Sequence, residues 1–195
     1  MIVGLTGGIG SGKSTIASFF AEFKNVALYI ADDEAKKLML TSFVRQKIIK
    51  EFGKKSYIGN ALNRKYISDI VFNDKSKLEK LNKIVHPAVK NHFKEFVNQH
   101  KEKDYIIYEN AILFENKNDA ICDVIICITI PLKLRFERVL ARDNVSKIEV
   151  ENRMKNQWKE EKKLLQSNYV IFNFEKEKSL KEVKRIHNIL TKKNA

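Results

Sequence analysis

The sequence predicts a three-layer α/β fold in which helices cover both faces of a five-stranded parallel sheet. Five short apolar runs are rich in valine, isoleucine and tyrosine, and stretches with helical periodicity separate them. Nearly continuous apolar runs of this length are typical of strands buried on both faces of a parallel sheet, with helices as the crossover connections. The predicted strands are residues 1–6, 26–32, 105–108, 123–130 and 169–173.

Two long stretches without a predicted strand interrupt this pattern. About seventy residues between the second and third strands have helical periodicity, which indicates a helical subdomain inserted into the sheet domain. A second stretch, 132–165, is helical and highly charged. The basic residues of 36–65 and of the sequence from Glu175 onward are interpreted as a solvated face and a lysine-rich tail. The helices predicted in the insertion are 33–40, 42–52, 63–73, 75–85 and 87–101, with Pro87 in the first turn of the last one.

The composition indicates a cytoplasmic protein with anionic partners. The formal net charge of +13 fits nucleic acids, membranes and phosphorylated small molecules alike. We find no apolar run near the ~20 residues that span a bilayer, and we do not expect a signal peptide. Cys122 and Cys127 are predicted to lie on opposite faces of a strand as reduced, buried thiols, which is consistent with the cytoplasm.

Five of the seven glycines lie within residues 4–15. Residues 7–14, GGIGSGKS, match the phosphate-binding pattern G-x-x-x-x-G-K-[ST], between an apolar strand and a helix. Glycine lets main-chain amides come close to phosphate oxygens, and the helix N-terminus adds further donors. The sequence therefore predicts a P-loop for a nucleoside triphosphate, with Lys13 at the β- and γ-phosphates and Ser14 on Mg²⁺. The residues predicted to hold the nucleotide there are Gly8, Ile9, Gly10, Ser11, Gly12, Lys13, Ser14 and Thr15.

Acidic residues that follow the second and third strands are candidates for activating the acceptor and binding the metal. Asp32 lies at the sheet edge where α/β proteins place ligands, so we expect it to take a proton from an attacking hydroxyl. Asp33 and Glu34 are expected to start a helix. Glu109 ends the third strand, where an acid would lie near Mg²⁺. A helix cap at Asp32 and a strand-end acid at Glu109, both without catalytic function, are the alternatives.

Three arginines, Arg135, Arg138 and Arg142, share one stripe of a predicted helix. Beside a P-loop, their guanidinium groups would stabilise charge on a transferring phosphoryl group, and the charged helices that follow would form a mobile lid. An amphipathic helix with a solvated basic face is the alternative. Two weaker candidates remain. His86 lies in the insertion, where a structural role or a helix cap is the alternative to a function. Asn173 ends the fifth strand, where its side-chain amide could contact an adenine.

These motifs as a set resemble those of dephospho-coenzyme A kinases, from residue 1 to about residue 173. The stretches that carry the resemblance are GLTGGIGSGKS, the aspartate after the second strand, LNRKYISDIVFNDKSKLEKLNKIVHP, ENAILFE, RFERVLARD, RMKNQ and VIFN. The resemblance implies a P-loop NTPase fold and transfer of the γ-phosphate of ATP, with Mg²⁺, to the ribose 3′-hydroxyl of dephospho-CoA. It divides the chain into a nucleotide-binding core (1–32 and 103–195), a helical CoA-binding subdomain (33–102) and a helical lid (140–165).

The same resemblance implies roles for individual residues. The catalytic residues it implies are Asp32, Lys13 and Arg138. Beyond the P-loop, the ATP contacts it implies are Arg142 and Asn173. The acceptor-side residues it implies are Asp32, Arg64, His86 and Glu109. Gln157 matches the glutamine that the family has in its lid.

The chain departs from the family pattern at three points. Ile30 stands where the family often has the first acid of D-A-D, and residues 110–113, NAIL, replace V-P-L-L. Phe174 and Glu175 stand where a glycine usually follows the late asparagine. If the missing acid helps to place Mg²⁺, Glu109 or water substitutes for it here.

Two other functions are compatible with the glycine loop: a nucleoside monophosphate kinase and a P-loop module that acts on RNA. The long helical insertion exceeds what a small acceptor needs, and the sequence shows neither an aromatic RNA platform nor an N/T-K-x-D guanine motif. We therefore expect ATP and dephospho-CoA as partners, no nucleic acid or membrane, and a monomer or weak homo-oligomer.

The charge of the insertion predicts a salt-dependent KM for dephospho-CoA, which carries a diphosphate. Residues 36–65 contain nine lysines or arginines and one acid, Glu51. A positive subdomain raises the local concentration of an anionic substrate, and salt screens that attraction. In steady-state assays, KM for dephospho-CoA should rise steeply as ionic strength increases from about 0.05 to about 0.5 M. A flat salt profile would contradict electrostatic steering.

Overall fold

The computed structural model describes residues 1–143 and 146–192, and it describes only the main chain at 72 and 73. Residues 144, 145 and 193–195, which fall within the predicted lid and core, lie outside the described residues. The chain forms two compact units, Met1–Ile30 with His100–Ala195 and Ala31–Gln99. The elements are, in chain order, β1 (Ile2–Gly7), α1 (Lys13–Ala21), β2 (Val26–Ile30), α2 (Ala31–Leu38), α3 (Ser42–Phe52), β3 (Tyr57–Ile58), β4 (Ala61–Leu62), α4 (Arg64–Asn73), α5 (Lys75–Gln99), β5 (Tyr105–Glu109), β6 (Val124–Thr129), α6 (Leu132–Asp143), α7 (Lys147–Lys155), α8 (Glu160–Leu165), β7 (Tyr169–Phe172) and α9 (Lys176–Lys192).

The first unit contains a parallel sheet with the strand order β2-β5-β1-β6-β7. This confirms the prediction of five parallel strands in an α/β fold. The second predicted strand was too long, because the chain turns into α2 directly after Ile30. At its carboxyl end β5 lies between β2 and β1, and Glu109 pairs in register with both Ile30 and Leu5. The acid that ends β5 therefore lies beside the strand that leads into the glycine loop.

Helices α1 and α9 pack together on the sheet. Ile16 and Phe20 of α1 and Val183, Ile186 and Leu190 of α9 belong to one buried cluster with the strands. The spacing of the three α9 residues places them on one helical face, with the lysines on the others. The lysines of this segment are exposed as expected, but the interpretation of the segment as a tail was wrong, because it also carries an apolar stripe that packs on the sheet.

The second unit is mainly helical, with a short antiparallel hairpin of β3 and β4 that the sequence did not predict. The prediction of a helix boundary at Pro87 was also wrong. Helix α5 is 25 residues long, and Pro87 lies in its interior. Proline removes one helical hydrogen bond, but apolar residues on both sides of it favour continuation. Leu81, Ile84 and Ala88 lie at helical spacing and pack against the same buried cluster.

The two cysteines are free thiols, but they do not share a strand. Cys122 precedes β6 and is half-buried, whereas Cys127 lies within β6 and is fully buried. The prediction that both belong to one strand was wrong, because Cys122 lies between a 3-10 helix that ends at Ile121 and β6, which begins at Val124. Burial raises the pKa of Cys122 to about 12 and that of Cys127 to about 11, so both stay protonated at neutral pH.

Across the residues that the structure describes, no helix is both long enough and apolar enough to cross a bilayer.

A buried histidine predicts loss of stability in mild acid. The Nδ1 atom of His187 lies 2.7 Å from the Tyr105 hydroxyl, and Phe23 stacks on its ring. Desolvation lowers the pKa of His187 below the ordinary 6.5, although Asp104 acts in the opposite direction. The unfolded chain therefore binds the extra proton first, and stability falls as the pH drops below the unfolded-state pKa.

The test is urea unfolding of the parent and of His187→Gln at about pH 7.5 and about pH 5.5. Glutamine can hydrogen-bond to Tyr105 but does not titrate, so the parent should lose more stability between the two pH values than the variant does. Equal losses would show that His187 does not contribute to the pH dependence.

Candidate active site

The glycine loop connects β1 to α1 and lies directly against α6. Gly10 and Gly12 have φ values of 80° and 87°, in the left-handed region that favours glycine. A Cβ atom on Gly10 would lie 2.5 Å from the carbonyl oxygen of Arg135. Glycine at position 10 is therefore required both by the backbone conformation and by the close approach of α6.

Arg135 holds the loop through its side chain as well. Its Nε donates to the Ile9 carbonyl at 3.0 Å, and its Nη1 lies 3.3 Å from a carboxylate oxygen of Glu160. The side chain is buried, and its guanidinium occupies the space where a Cβ on Gly8 would be. Arg135 therefore differs in role from the other two arginines of the predicted stripe, because its side chain is bonded to the P-loop and to Glu160.

Asn173 supports the other half of the loop. Its Nδ2 donates to the Ser11 carbonyl at 2.9 Å, and its Oδ1 accepts from the Ser179 hydroxyl at 3.0 Å. The amide also fills the space that a Cβ on Gly12 would need. The adenine contact expected from the sequence stays a prediction, and the contacts that the structure gives this amide are with the P-loop and α9.

Lys13 and the first turn of α1 face the inside of the loop. The Lys13 side chain is 9% exposed, and its Nζ lies 3.3 Å from the Gly8 carbonyl. Ser14 and Thr15 follow it and are exposed. An α-helix N-terminus carries free N–H donors and a partial positive charge, and Lys13 adds a full charge. The arrangement is suited to binding a polyphosphate.

A cavity of about 490 Å³ opens at this loop. It contains most of the predicted nucleotide contacts and three residues that sequence reasoning missed: Phe19, Phe174 and Lys176. Phe19 lies one turn beyond Thr15 on α1, so its spacing from the P-loop in the predicted helix indicates its place beside the site. The lining residues are Gly10, Gly12, Lys13, Ser14, Thr15, Phe19, Arg138, Arg142, Asn173, Phe174 and Lys176.

The two remaining arginines of α6 both line this cavity. The Nη2 of Arg138 donates to the Asn173 carbonyl at 3.1 Å. Arg142 makes two bonds to Asp143, at 2.6 and 3.1 Å, and Arg153 of α7 makes a third at 2.8 Å. Hydrogen bonding to Arg142 lowers the pKa of Asp143. Arg142 must therefore exchange its partner if it is to bind phosphate.

Gln157 joins the P-loop to the segment that follows α7. Its Oε1 accepts from the Ile9 amide at 2.9 Å, and its Nε2 donates to the Ala111 carbonyl at 3.3 Å. The signal for this residue was its match to the lid glutamine, but the sequence did not predict a bond to the loop. The Ile9 amide, predicted to face a phosphate, donates to this side chain in the structure.

Buried ion pairs fix α8, which forms the end of the predicted lid. Lys163 lies 2.8 Å from Glu115 and donates to the Ala111 carbonyl at 2.9 Å. Glu115 also accepts from the Trp158 amide at 2.6 Å. Since Lys163 is 1% exposed, α8 is attached to the sheet unit by charges that water does not screen. A moving lid would involve α7 and would end before Gln157.

The acceptor-side candidates lie mostly in the second unit. Asp32 is exposed in the first turn of α2, whereas Asp33 pairs with Lys36 and Glu34 with Lys37, each at 2.7 Å. The prediction that Asp32 belongs to the strand was wrong, because β2 ends two residues earlier at Ile30. The helix begins at Ala31, and Asp33 and Glu34 lie in its first turn.

Two further candidates, Arg64 and His86, are exposed on α4 and α5 of the second unit. Arg64 is the first residue of α4, which Asn63 caps by accepting from the Tyr66 amide. Desolvation lowers the pKa of His86, so its imidazole is neutral at pH 7. In the first unit, by contrast, the structure brings the P-loop, Arg138, Arg142 and Asn173 together, and Glu109 is buried at the end of β5.

Comparison with known proteins identifies a family that accounts for this arrangement. The family model described as dephospho-CoA kinase matches residues 1–179. A dephospho-CoA kinase of Fusobacterium nucleatum is 38% identical over 174 residues, which cover 89% of each chain. A dephospho-CoA kinase of Chlorobaculum tepidum is 39% identical over 184 residues, which cover 89% of this chain and 86% of the relative.

Solved structures share the fold. A protein of Thermus thermophilus superposes with a TM-score of 0.87 at 28% identity over 98% of both chains. A dephospho-CoA kinase from Campylobacter jejuni has a TM-score of 0.65 at 23% identity, over 98% of this chain and 97% of the other. A shikimate kinase from Acinetobacter baumannii has a TM-score of 0.53 at 14% identity, over 98% and 93%. The last two similarities concern the fold alone.

The contact between Gly10 and Arg135 predicts different effects for two matched substitutions. Gly10→Ala introduces strain and a collision, whereas Gly53→Ala, at φ 85° and ψ 167°, introduces strain with no described atom within 4 Å of the new Cβ. A backbone conformation that non-glycine residues rarely adopt costs about 1–3 kcal/mol, so both variants should lose stability.

Calorimetric titration with ATP separates the two effects. Gly10→Ala should weaken ATP binding by about tenfold or more because the loop must move away from α6, whereas Gly53→Ala should bind ATP like the parent. Normal ATP affinity in Gly10→Ala would show that the loop does not depend on this packing.

Proposed function

The chain belongs to the dephospho-CoA kinase family, and we infer that its glycine loop holds the ATP with which it phosphorylates the ribose 3′-hydroxyl of dephospho-CoA. The products are coenzyme A and ADP, and the reaction completes coenzyme A synthesis. The observation that carries the assignment of the site is the 490 Å³ cavity at the N-terminus of α1, which contains a buried lysine beside the loop. A buried cation, helix amides and a glycine-lined wall match a triphosphate tail.

The P-loop binds the phosphates with its main chain and with Lys13. The conformation is held from outside by Arg135 and Asn173, so the loop needs little rearrangement when the phosphates arrive, except that the Ile9 amide must leave Gln157 if it is to bind a phosphate. The Lys13 ammonium neutralises charge at the β- and γ-phosphates, and Arg138, which lines the same cavity, stabilises charge on the transferring group. Arg142 joins it after leaving Asp143.

The residues present are also suited to Mg²⁺ bound to the nucleotide. Within residues 1–143 and 146–192, no cluster of three or more histidine, cysteine or acidic side chains forms an all-protein metal cage. Mg²⁺ in kinases typically takes few protein ligands and completes its shell with phosphate oxygens and water. The exposed Ser14 hydroxyl would hold the ion, and Glu109, which pairs with Leu5 of the strand that leads into the loop, is the candidate acid. The bound ion would neutralise negative charge on the triphosphate.

Asp32 is the general base of the proposed mechanism. Its neighbours Asp33 and Glu34 form ion pairs with lysines. The Asp32 carboxylate makes no side-chain hydrogen bond or ion pair within the described part of the chain. It is exposed, and it follows the carboxyl end of β2 by two residues. Its carboxylate accepts the proton of the ribose 3′-hydroxyl as the oxygen attacks the γ-phosphorus.

The second unit provides the acceptor side in this proposal. Arg64 offers a guanidinium for the phosphates of dephospho-CoA, and neutral His86 offers a hydrogen bond without adding charge. The protein acts as a monomer or weak homo-oligomer in the cytoplasm. A direct assay of ADP release with dephospho-CoA, AMP, UMP or dTMP tests the acceptor, and turnover confined to a monophosphate would contradict the assignment.

The proposed base predicts different effects for two adjacent aspartates. Asp32→Asn should reduce kcat by about 10²–10⁴-fold, because an amide cannot accept the proton, while the Kd for ATP stays unchanged. Asp33→Asn is the matched control: it removes the same charge one residue away and breaks only the exposed pair with Lys36. Its kcat should stay close to that of the parent.

Coupled ADP-release kinetics and calorimetry measure these quantities. A near-normal kcat in Asp32→Asn, or equal losses in both variants, would exclude Asp32 as the base.

A further inference from the structure

Two aromatic side chains line the nucleotide cavity but have no role in binding phosphate: Phe19 and Phe174. A nucleoside triphosphate needs a surface for its base as well as a cradle for its phosphates. Bases stack on aromatic rings, and this interaction depends little on base identity because every base has a π-face. The cavity therefore contains candidates for a base-binding surface.

Of these two rings, Phe174 is the accessible one. Phe19 is 7% exposed, and the Lys176 ammonium lies 6.0 Å from the centre of its ring. Phe174 is 48% exposed. It directly follows Asn173, whose amide is bound to the Ser11 carbonyl at 2.9 Å, so the main chain that carries Phe174 is fixed to the P-loop.

The hydrogen bonds that the Asn173 side chain already makes also limit how this residue can recognise the base. Its amide donates to Ser11 and accepts from Ser179, so these contacts hold it on the loop and α9. We propose that Phe174, at a point where the family pattern usually has a glycine, is the platform on which the base of the donor nucleotide stacks. The proposal rests on the proposed function, because it takes the cavity as the ATP site.

A second aromatic residue provides a matched control. Phe172 is 60% exposed, and its ring is nearly parallel to that of Phe174 at 6.3 Å between centres. Among the described residues, the cavity lining includes Phe174 but not Phe172. Removing the Phe172 ring thus changes the same surface without removing a cavity wall.

The experiment compares Phe174→Ala, Phe174→Tyr and Phe172→Ala in the full-length chain. The readouts are the Kd for MgATP, the Kd for magnesium tripolyphosphate, which has no base, and kcat at saturating ATP. Phe174→Ala should weaken ATP binding by about tenfold and leave tripolyphosphate binding and kcat within about twofold of the parent. Phe174→Tyr, which keeps the ring, and Phe172→Ala should bind both ligands like the parent.

Three outcomes would overturn the proposal: normal ATP affinity in Phe174→Ala, an equal loss of tripolyphosphate affinity, or an equal loss of ATP affinity in Phe172→Ala. The second outcome would mean that Phe174 acts by shaping the P-loop. A Lys13→Ala variant in the same series should lose affinity for both ligands, because it removes charge from the phosphate region. If it does so while Phe174→Ala binds ATP normally, the phosphate site stands and the base platform fails.

Discussion

The close packing of the glycine loop against α6 and Asn173 is the constraint on which the rest of the site depends. The loop lies so near to Arg135 and Asn173 that side chains at Gly8, Gly10 and Gly12 would collide with them. Two side-chain hydrogen bonds, to the Ile9 and Ser11 carbonyls, then hold the loop in place. The glycines therefore allow phosphates to approach, and they also leave room for Arg135 and Asn173 to pack against the loop.

This support extends into α8 through buried charges. Glu160 pairs with Arg135 and accepts from the Thr129 hydroxyl at 2.6 Å, and Lys163 pairs with Glu115. Removing one partner of a buried pair typically costs about 3–5 kcal/mol, because the other charge is left without compensation. These pairs hold the nucleotide side of the site in place, and in the proposed function α7, together with Arg142 and its Asp143 pair, is the segment that would close over ATP.

The sequence predicted the sheet and the phosphate loop because their signals are local: apolar runs for the strands and a fixed glycine spacing for the loop. It did not predict the supporting roles of Arg135 and Asn173, which depend on residues more than a hundred positions away in the chain. It also misjudged Pro87 and α9, where burial of an apolar stripe outweighs a helix breaker in one case and a high charge density in the other. Asp32 was proposed as the base from its place after a strand, but the ion pairs of Asp33 and Glu34 with lysines became visible only in the structure.

The central claim is that main-chain amides at the start of α1 donate hydrogen bonds to the phosphates of ATP. Backbone amide chemical shifts of the ¹⁵N-labelled protein, followed during titration with MgATP, test it most directly. The account predicts that the largest changes fall on residues 10–15, with saturation at the Kd measured by calorimetry. Saturable binding with these amides unchanged, and with the large shifts elsewhere in the chain, would contradict it.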